Sequence, residues 1–148
     1  MLTFKKPGFE ETSSKEWLVT NGIGGYASST INGANTRRYH GLLVEALNPL
    51  TQRPVLVSKI EECISLRRDT CISLGSNRYP EVVHPQGFQY IERFDHTPLP
   101  KTIFNIGGSQ MAKTVFMVYG SNTTVVEYEN IGQSTYNLNL VPLSLIHI

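Results

Sequence analysis

The chain has 148 residues, 40% of them hydrophobic and 17% charged, enough for one domain that holds a core without staples. Thirteen basic and twelve acidic residues leave a net charge of +1, so no field gathers nucleic acid or an anionic membrane, and neither is an expected partner. No apolar run approaches the ~20 residues of a membrane helix, and the opening MLTFKKPG lacks the apolar stretch of a secretory signal, which together predict a cytoplasmic location.

The elements read as β from one end to the other. Residues 16–20 (EWLVT) and 26–31 (YASSTI) predict two strands around a bend rich in glycine. Gly22, Gly24 and Gly25 there permit positive φ and the close approach of a second backbone or a ligand. A further glycine turn leads into a polar cluster over 35–40. Residues 54–66 (PVLVSKIEECISL) predict one strand, with a turn at 67–70 and a return at 71–74. A helix over 58–68 competes, but β-branched content and flanking turns favour the strand. Cys63 and Cys71 can face each other across this hairpin. In a reducing compartment they are expected as two buried thiols, and two cysteines are too few for a disulfide framework or a zinc site.

Proline-bounded loops at 79–87 and 94–98 carry His84 and His96. Residues 113–119 (KTVFMVY) are apolar on both faces, as in a strand covered on both sides. After a break at 120–122, residues 123–129 (TTVVEYE) put Val126 and Tyr128 on one face and Glu127 and Glu129 on the other. A turn at 130–134 and the alternating 137–140 complete what reads as an antiparallel meander. Helix caps followed by a 3.6 period are almost absent. The expected fold is therefore all-β, an antiparallel β-sandwich with few or no helices. Without repeats or a low-complexity linker, residues 1–142 form one domain. Residues 143–148 (LSLIHI) read like a translated transposon-end adapter from a sequencing library and are expected to be a non-native tail, so His147 carries no weight.

Chemistry concentrates in Asn35, Arg37, Arg38, Tyr39 and His40. Arginine offers a planar fork of donors, tyrosine a stacking face with a hydroxyl, histidine one donor and one acceptor. These are tools for gripping sugar hydroxyls and stacking on a pyranose ring. The competing reading is an arginine pair at a strand end with Tyr39 and His40 packed beside it. The run from Gly22 to Ala27 also fits the dinucleotide pattern G-x-G-x-x-A, but that pattern needs a helix from about Gly25, and SSTING is a poor helix. His40, His84 and His96 show no metal spacing, and no cofactor is expected. His96 reads as a turn residue bonded to Asp95. No carboxylate pair suits glycoside hydrolysis, because Glu61 and Glu62 are adjacent and point to opposite faces. No residue is therefore assigned as catalytic.

The segment EWLVTNGIGGYASSTINGANTRRYHGLLVEAL (16–47) closely resembles the opening of bacterial and archaeal-type glycogen debranching enzymes, the amylo-α-1,6-glucosidase group. The likeness continues through PVLVSKIEE, NRYP, VVHPQGFQYIERF and KTVFMVYGSNTTVVEYEN, to about Pro142. The resemblance implies a supersandwich-like domain packed on a helical (α/α)6 barrel, which this chain lacks. The barrel would carry the carboxylates that hydrolyse α-1,6 branch points of glycogen or limit dextrin, and the sandwich would wall the cleft. It further implies Asn35, Arg37, Arg38, Tyr39 and His40 as substrate contacts, and a fragment inactive alone. A standalone carbohydrate-binding or interaction sandwich without catalysis is the alternative.

Overall fold

The computed structural model describes residues 1–47 and 52–144. Along them run β1 (Leu2–Thr3), α1 (Phe9–Ser13), β2 (Glu16–Thr20), β3 (Tyr26–Thr30), β4 (Gly41–Val44) and β5 (Val55–Val57). Next come β6 (Lys59–Arg67), β7 (Thr70–Ser73), β8 (Ser76–Arg78), β9 (Val83–Gln86) and a 3-10 turn, Gly87–Tyr90. The chain continues with β10 (Ile91–Asp95), β11 (Lys101–Ile106), β12 (Ser109–Met117), β13 (Thr124–Asn130) and β14 (Asn137–Leu143). Every pairing is antiparallel. The all-β expectation holds, and among the described residues the helical content is one five-residue turn of helix and one 3-10 turn.

One layer is the sheet β1-β10-β11-β12-β13. Facing it are β2-β3-β4-β5 and β14-β6-β7, with the hairpin β8-β9 beside them. The expected strand over 54–66 is two strands. It breaks at Ser58, whose carbonyl accepts from Leu42 N (3.2 Å) while its amide donates to Leu143 O (2.8 Å). Ser58 is thus the stitch where one partner strand is exchanged for another. The meander also needs correction. β12 and β13 form a hairpin, but β14 leaves that sheet and pairs with β6 from Asn137 opposite Ser65 to Leu143 opposite Lys59. Its alternation fitted a third strand, yet nothing local names a partner more than 70 residues back. Leu143 and Ser144 belong to this packing, with Ser144 Oγ donating to Leu56 O. The rest of the expected tail, 145–148, lies outside the described residues.

Cys63 and Cys71 also differ from expectation. They lie close together across β6 and β7, Cα to Cα 5.7 Å, but Cys71 is exposed and Cys63 only half-buried, so they are not two buried thiols. No helix among the described residues is long and apolar enough to cross a membrane.

Period-two alternation decides what meets inside. On β12, Met111, Val115 and Met117 point inward, and so does Lys113, which shares their parity. On β6 the inward set is Ile60, Ile64 and Leu66, with Glu62 among them. On β13 it is Val126 and Tyr128. A buried carboxylate and ammonium therefore face each other across the core, and the physics requires that they meet. Glu62 is 4% exposed; its Oε1 accepts from the Lys113 ammonium and from the Tyr128 hydroxyl, the latter at 2.7 Å. Burial, then the charge of Glu62, pushes the Tyr128 phenol far up, so it remains a donor. Trp17, Ile31, Leu42, Leu74 and Phe104 line the same small interior space as Glu62 and Lys113.

Removing one partner strands the other's charge. Lys113→Met should lower stability by about 3–5 kcal/mol, and Tyr128→Phe by about 1.5–3 kcal/mol, both read from urea unfolding midpoints. Equal effects from the two would mean that Lys113 carries no charge-specific role.

Candidate functional site

The polar cluster lies on the connection from β3 to β4, and its shape is fixed from both ends. At the start, Asn32 Oδ1 accepts from Ala34 N (2.9 Å) and Asn32 Nδ2 donates to Thr12 Oγ1 (2.9 Å), tying the turn to α1. Asn35 follows. Its Oδ1 accepts from Ser29 Oγ at 2.9 Å, and its Nδ2 donates to the carbonyl and hydroxyl oxygens of Ser58, 3.1 Å each. At the far end stands His40, 2% exposed, whose Nδ1 accepts from the backbone amides of Thr36 and Arg37 at 3.0 Å each. One ring nitrogen therefore ends a four-residue loop that no strand partner could satisfy. His40 N donates to Arg37 O (3.1 Å), closing the turn.

The acceptor role of Nδ1 assigns the proton to Nε2. That nitrogen lies 2.8 Å from Glu16 Oε1 but off the line of a hydrogen bond, so it has no aligned partner among the described residues. Glu16 Oε1 also accepts from Arg37 Nε at 3.2 Å. Beyond this anchor the loop is open. Arg38 is exposed, the Arg37 side chain is 61% exposed, and Tyr39 is 51% exposed, its ring edge-on to His40 at 5.3 Å. The Tyr26 hydroxyl donates to Tyr39 O at 3.0 Å. Burial, outweighing the opposing charge of Arg53, raises the Tyr26 pKa and keeps that proton in place.

Tyr39 forms one wall of an open groove of about 660 Å³ with Leu18, Tyr26, Glu16 and His96. The structure thus brings Tyr39 to a groove and sets Arg37 and Arg38 exposed on the same turn. His40 lies behind that turn as its support. Asn35 faces a different cleft, with Asn77 and Tyr79. Sequence reasoning passed over Glu16, Leu18 and Tyr26. Alternation in EWLVT does set Glu16 and Leu18 on the outward face, but only the register Glu16 opposite Thr30 carries Glu16 under the loop. His96 was expected to bond Asp95. Instead its Nδ1 is 3.4 Å from Thr97 Oγ1, while Asp95 pairs with Arg93.

The glycine bend is not a phosphate cradle. Asn21 Oδ1 accepts from Ile23 N and Gly25 N at 3.0 and 2.9 Å, and the chain runs on into β3, not a helix. Gly22, at φ +80°, lies under the Tyr119 ring, where a Cβ would come within 2.4 Å of that ring.

Burial lowers the His40 pKa from 6.5, with Glu16 opposing and Arg37 adding to the shift. The unfolded chain then takes up the proton first. The stability that neutral His40 supplies is whole above pH 6.5 and is lost as pH falls below it toward the folded value. By NMR titration His40 should protonate below 6.5, and lower still in Glu16→Gln. His40→Ala should cost about 1–3 kcal/mol through two amides left without an acceptor. A titration at or above the ordinary value would contradict this arrangement.

The family described as glycogen debranching enzyme N terminal matches residues 15–145, the span that holds β2 to β14 and both faces of the loop. No curated protein and no solved structure gives a significant match. With its match running over most of the chain, this all-β protein belongs to the glycogen debranching enzyme N-terminal family.

Proposed function

We propose that the chain is the cleft-walling domain of a glycogen debranching enzyme, orienting a branched α-glucan that a catalytic (α/α)6 domain cleaves. Arg37, Arg38 and Tyr39 are the contact residues in this reading. His40 positions them, and Asn35 fixes the loop's near side. The observation that carries it is an exposed Arg-Arg-Tyr turn, locked from beneath by a buried imidazole, in a member of this family. A loop held in this way loses little entropy when a saccharide docks.

Hydrolysis of an α-1,6 bond needs one carboxylic acid to protonate the leaving oxygen and one carboxylate to activate water or attack the sugar. Three carboxylates near the two clefts and the core are held by cations or by the loop itself. Glu62 is buried on Lys113, Glu61 is bonded to Lys59, and Glu16 is shared between Arg37 and the His40 edge. The cleaving pair then belongs to the partner domain. In this reading the domain serves glycogen breakdown in the cytoplasm.

In an enzyme carrying both domains, Tyr39→Ala and Arg38→Ala should each lower kcat/KM on limit dextrin about tenfold. Melting temperature should hardly move, because both side chains are exposed. The 148-residue chain alone should release no glucose from limit dextrin. Unchanged kinetics in both variants would remove the turn from the cleft, and glucose release by the chain alone would overturn the division of labour.

A further inference from the structure

On the other side of the same loop lies a second open cleft, of about 580 Å³, lined by Asn35, Lys59, Glu61, Asn77, Arg78 and Tyr79 among others. We infer that this cleft is a second binding site, for a neutral saccharide. The inference goes beyond the function proposed above and shares with it only the ligand class, which here is argued from the cleft itself.

The floor is a closed polar circuit. Lys59 Nζ donates to Asn77 Oδ1 at 2.6 Å and sits 3.2 Å from Glu61 Oε1, and Asn77 Nδ2 donates to that same oxygen at 3.3 Å. Lys59 also donates to Ser76 O at 3.4 Å, so its ammonium is fully engaged, and the valences left free in fixed directions are those of Asn77 and Glu61. Gly75 leaves room for this: a Cβ there would lie 2.3 Å from Glu61 Oε2. Asn35 borders one wall, its Nδ2 engaged on Ser58 and its Oδ1, which accepts from Ser29, left with one further acceptor position. Arg78 on the other wall is paired with Glu10 and stacked over Phe9, 5.2 Å from the ring centroid.

Charge then selects the ligand class. Lys59 is answered by Glu61 and Arg78 by Glu10, so the cleft carries no net charge to attract phosphate or a metal ion. What it offers is amide and charged hydrogen-bonding groups in fixed geometry, beside one aromatic face. Tyr79 is 54% exposed although its backbone is rigid, its amide and carbonyl both bonded to Val82 across the turn between β8 and β9. An aromatic ring on a fixed backbone, left in water beside a preorganised polar floor, suits a pyranose, which presents an apolar face and a rim of hydroxyls together.

The test is titration of the isotope-labelled 148-residue chain with maltoheptaose, followed by amide chemical shifts. Shifts at residues 35, 59 and 76–79 that weaken about tenfold in Tyr79→Ala and persist in Tyr79→Phe are expected. Shifts confined to 16–28 and 37–40 would overturn the second site while leaving the groove at Tyr39 intact. Shifts confined to 35, 59 and 76–79 would support it and count against that groove. Absence of shifts anywhere, or equal binding by Tyr79→Ala, would overturn it.

Discussion

One carboxylate oxygen holds the two layers of this sandwich in register. Glu62 Oε1 accepts from Lys113 and from Tyr128, which stand on adjacent strands of the opposite sheet. A charge in the interior costs several kcal/mol unless it is met, so the trio acts as a constraint more than as a source of stability. A one-residue slip of β6 would turn Glu62 outward, strand Lys113 in the core and carry Ile60 and Ile64 into water. Apolar side chains alone tolerate near-equivalent packings, whereas a carboxylate, an ammonium and a phenol at one point do not. The layers therefore have one alignment, and everything mounted on them inherits it.

The loop over 31–40 is mounted on both halves of the facing layer. Asn35 bonds to Ser58, where the chain passes from β5 to β6, and the His40 ring reaches Glu16 on β2. Its conformation is set by side chains that replace strand partners. Nδ1 of His40 takes the two amides of Thr36 and Arg37, Asn32 takes that of Ala34, and what remains outward is Arg37, Arg38 and Tyr39. The protonation state of one imidazole is thereby coupled to the presentation of three exposed side chains. Burial, by favouring the neutral ring, keeps that presentation in force at neutral pH.

Much of this was legible in the chain. Strands over 16–20, 26–31, 113–119 and 123–129 follow from β-branched and aromatic runs between glycine turns, and alternation correctly split Val126 and Tyr128 from Glu127 and Glu129. The opposite directions of Glu61 and Glu62 were equally readable, one toward a polar cleft and one into the core. What failed was pairing. Nothing local to β14 selects β6 over β13, and nothing local to 54–66 reveals that Ser58 must serve two sheets. The site shared that limit. Composition marked 35–40 as chemically dense, but whether a polar side chain meets solvent or supports its neighbours depends on bonds made over long sequence distances. His40 and Asn35 are supports by that measure, while Tyr39 is open.

The same distinction bears on how a sandwich serves a saccharide. Strands hold side chains rigidly but present them on a gently twisted face, which suits a long ligand poorly at any one point. Turns present them steeply but pay in entropy when they move. Here the turn at 36–40 and the turn at 79–82 each have their backbone bonded internally, by His40 in one case and by the reciprocal Tyr79 and Val82 bonds in the other. Each leaves a tyrosine about half exposed at its tip. In the reading proposed above, two aromatic faces on stiff turns, on either side of a loop anchored at Ser58, each meet a saccharide without first becoming ordered. That property requires no catalytic group in the domain, and it depends on the layers below keeping their single register.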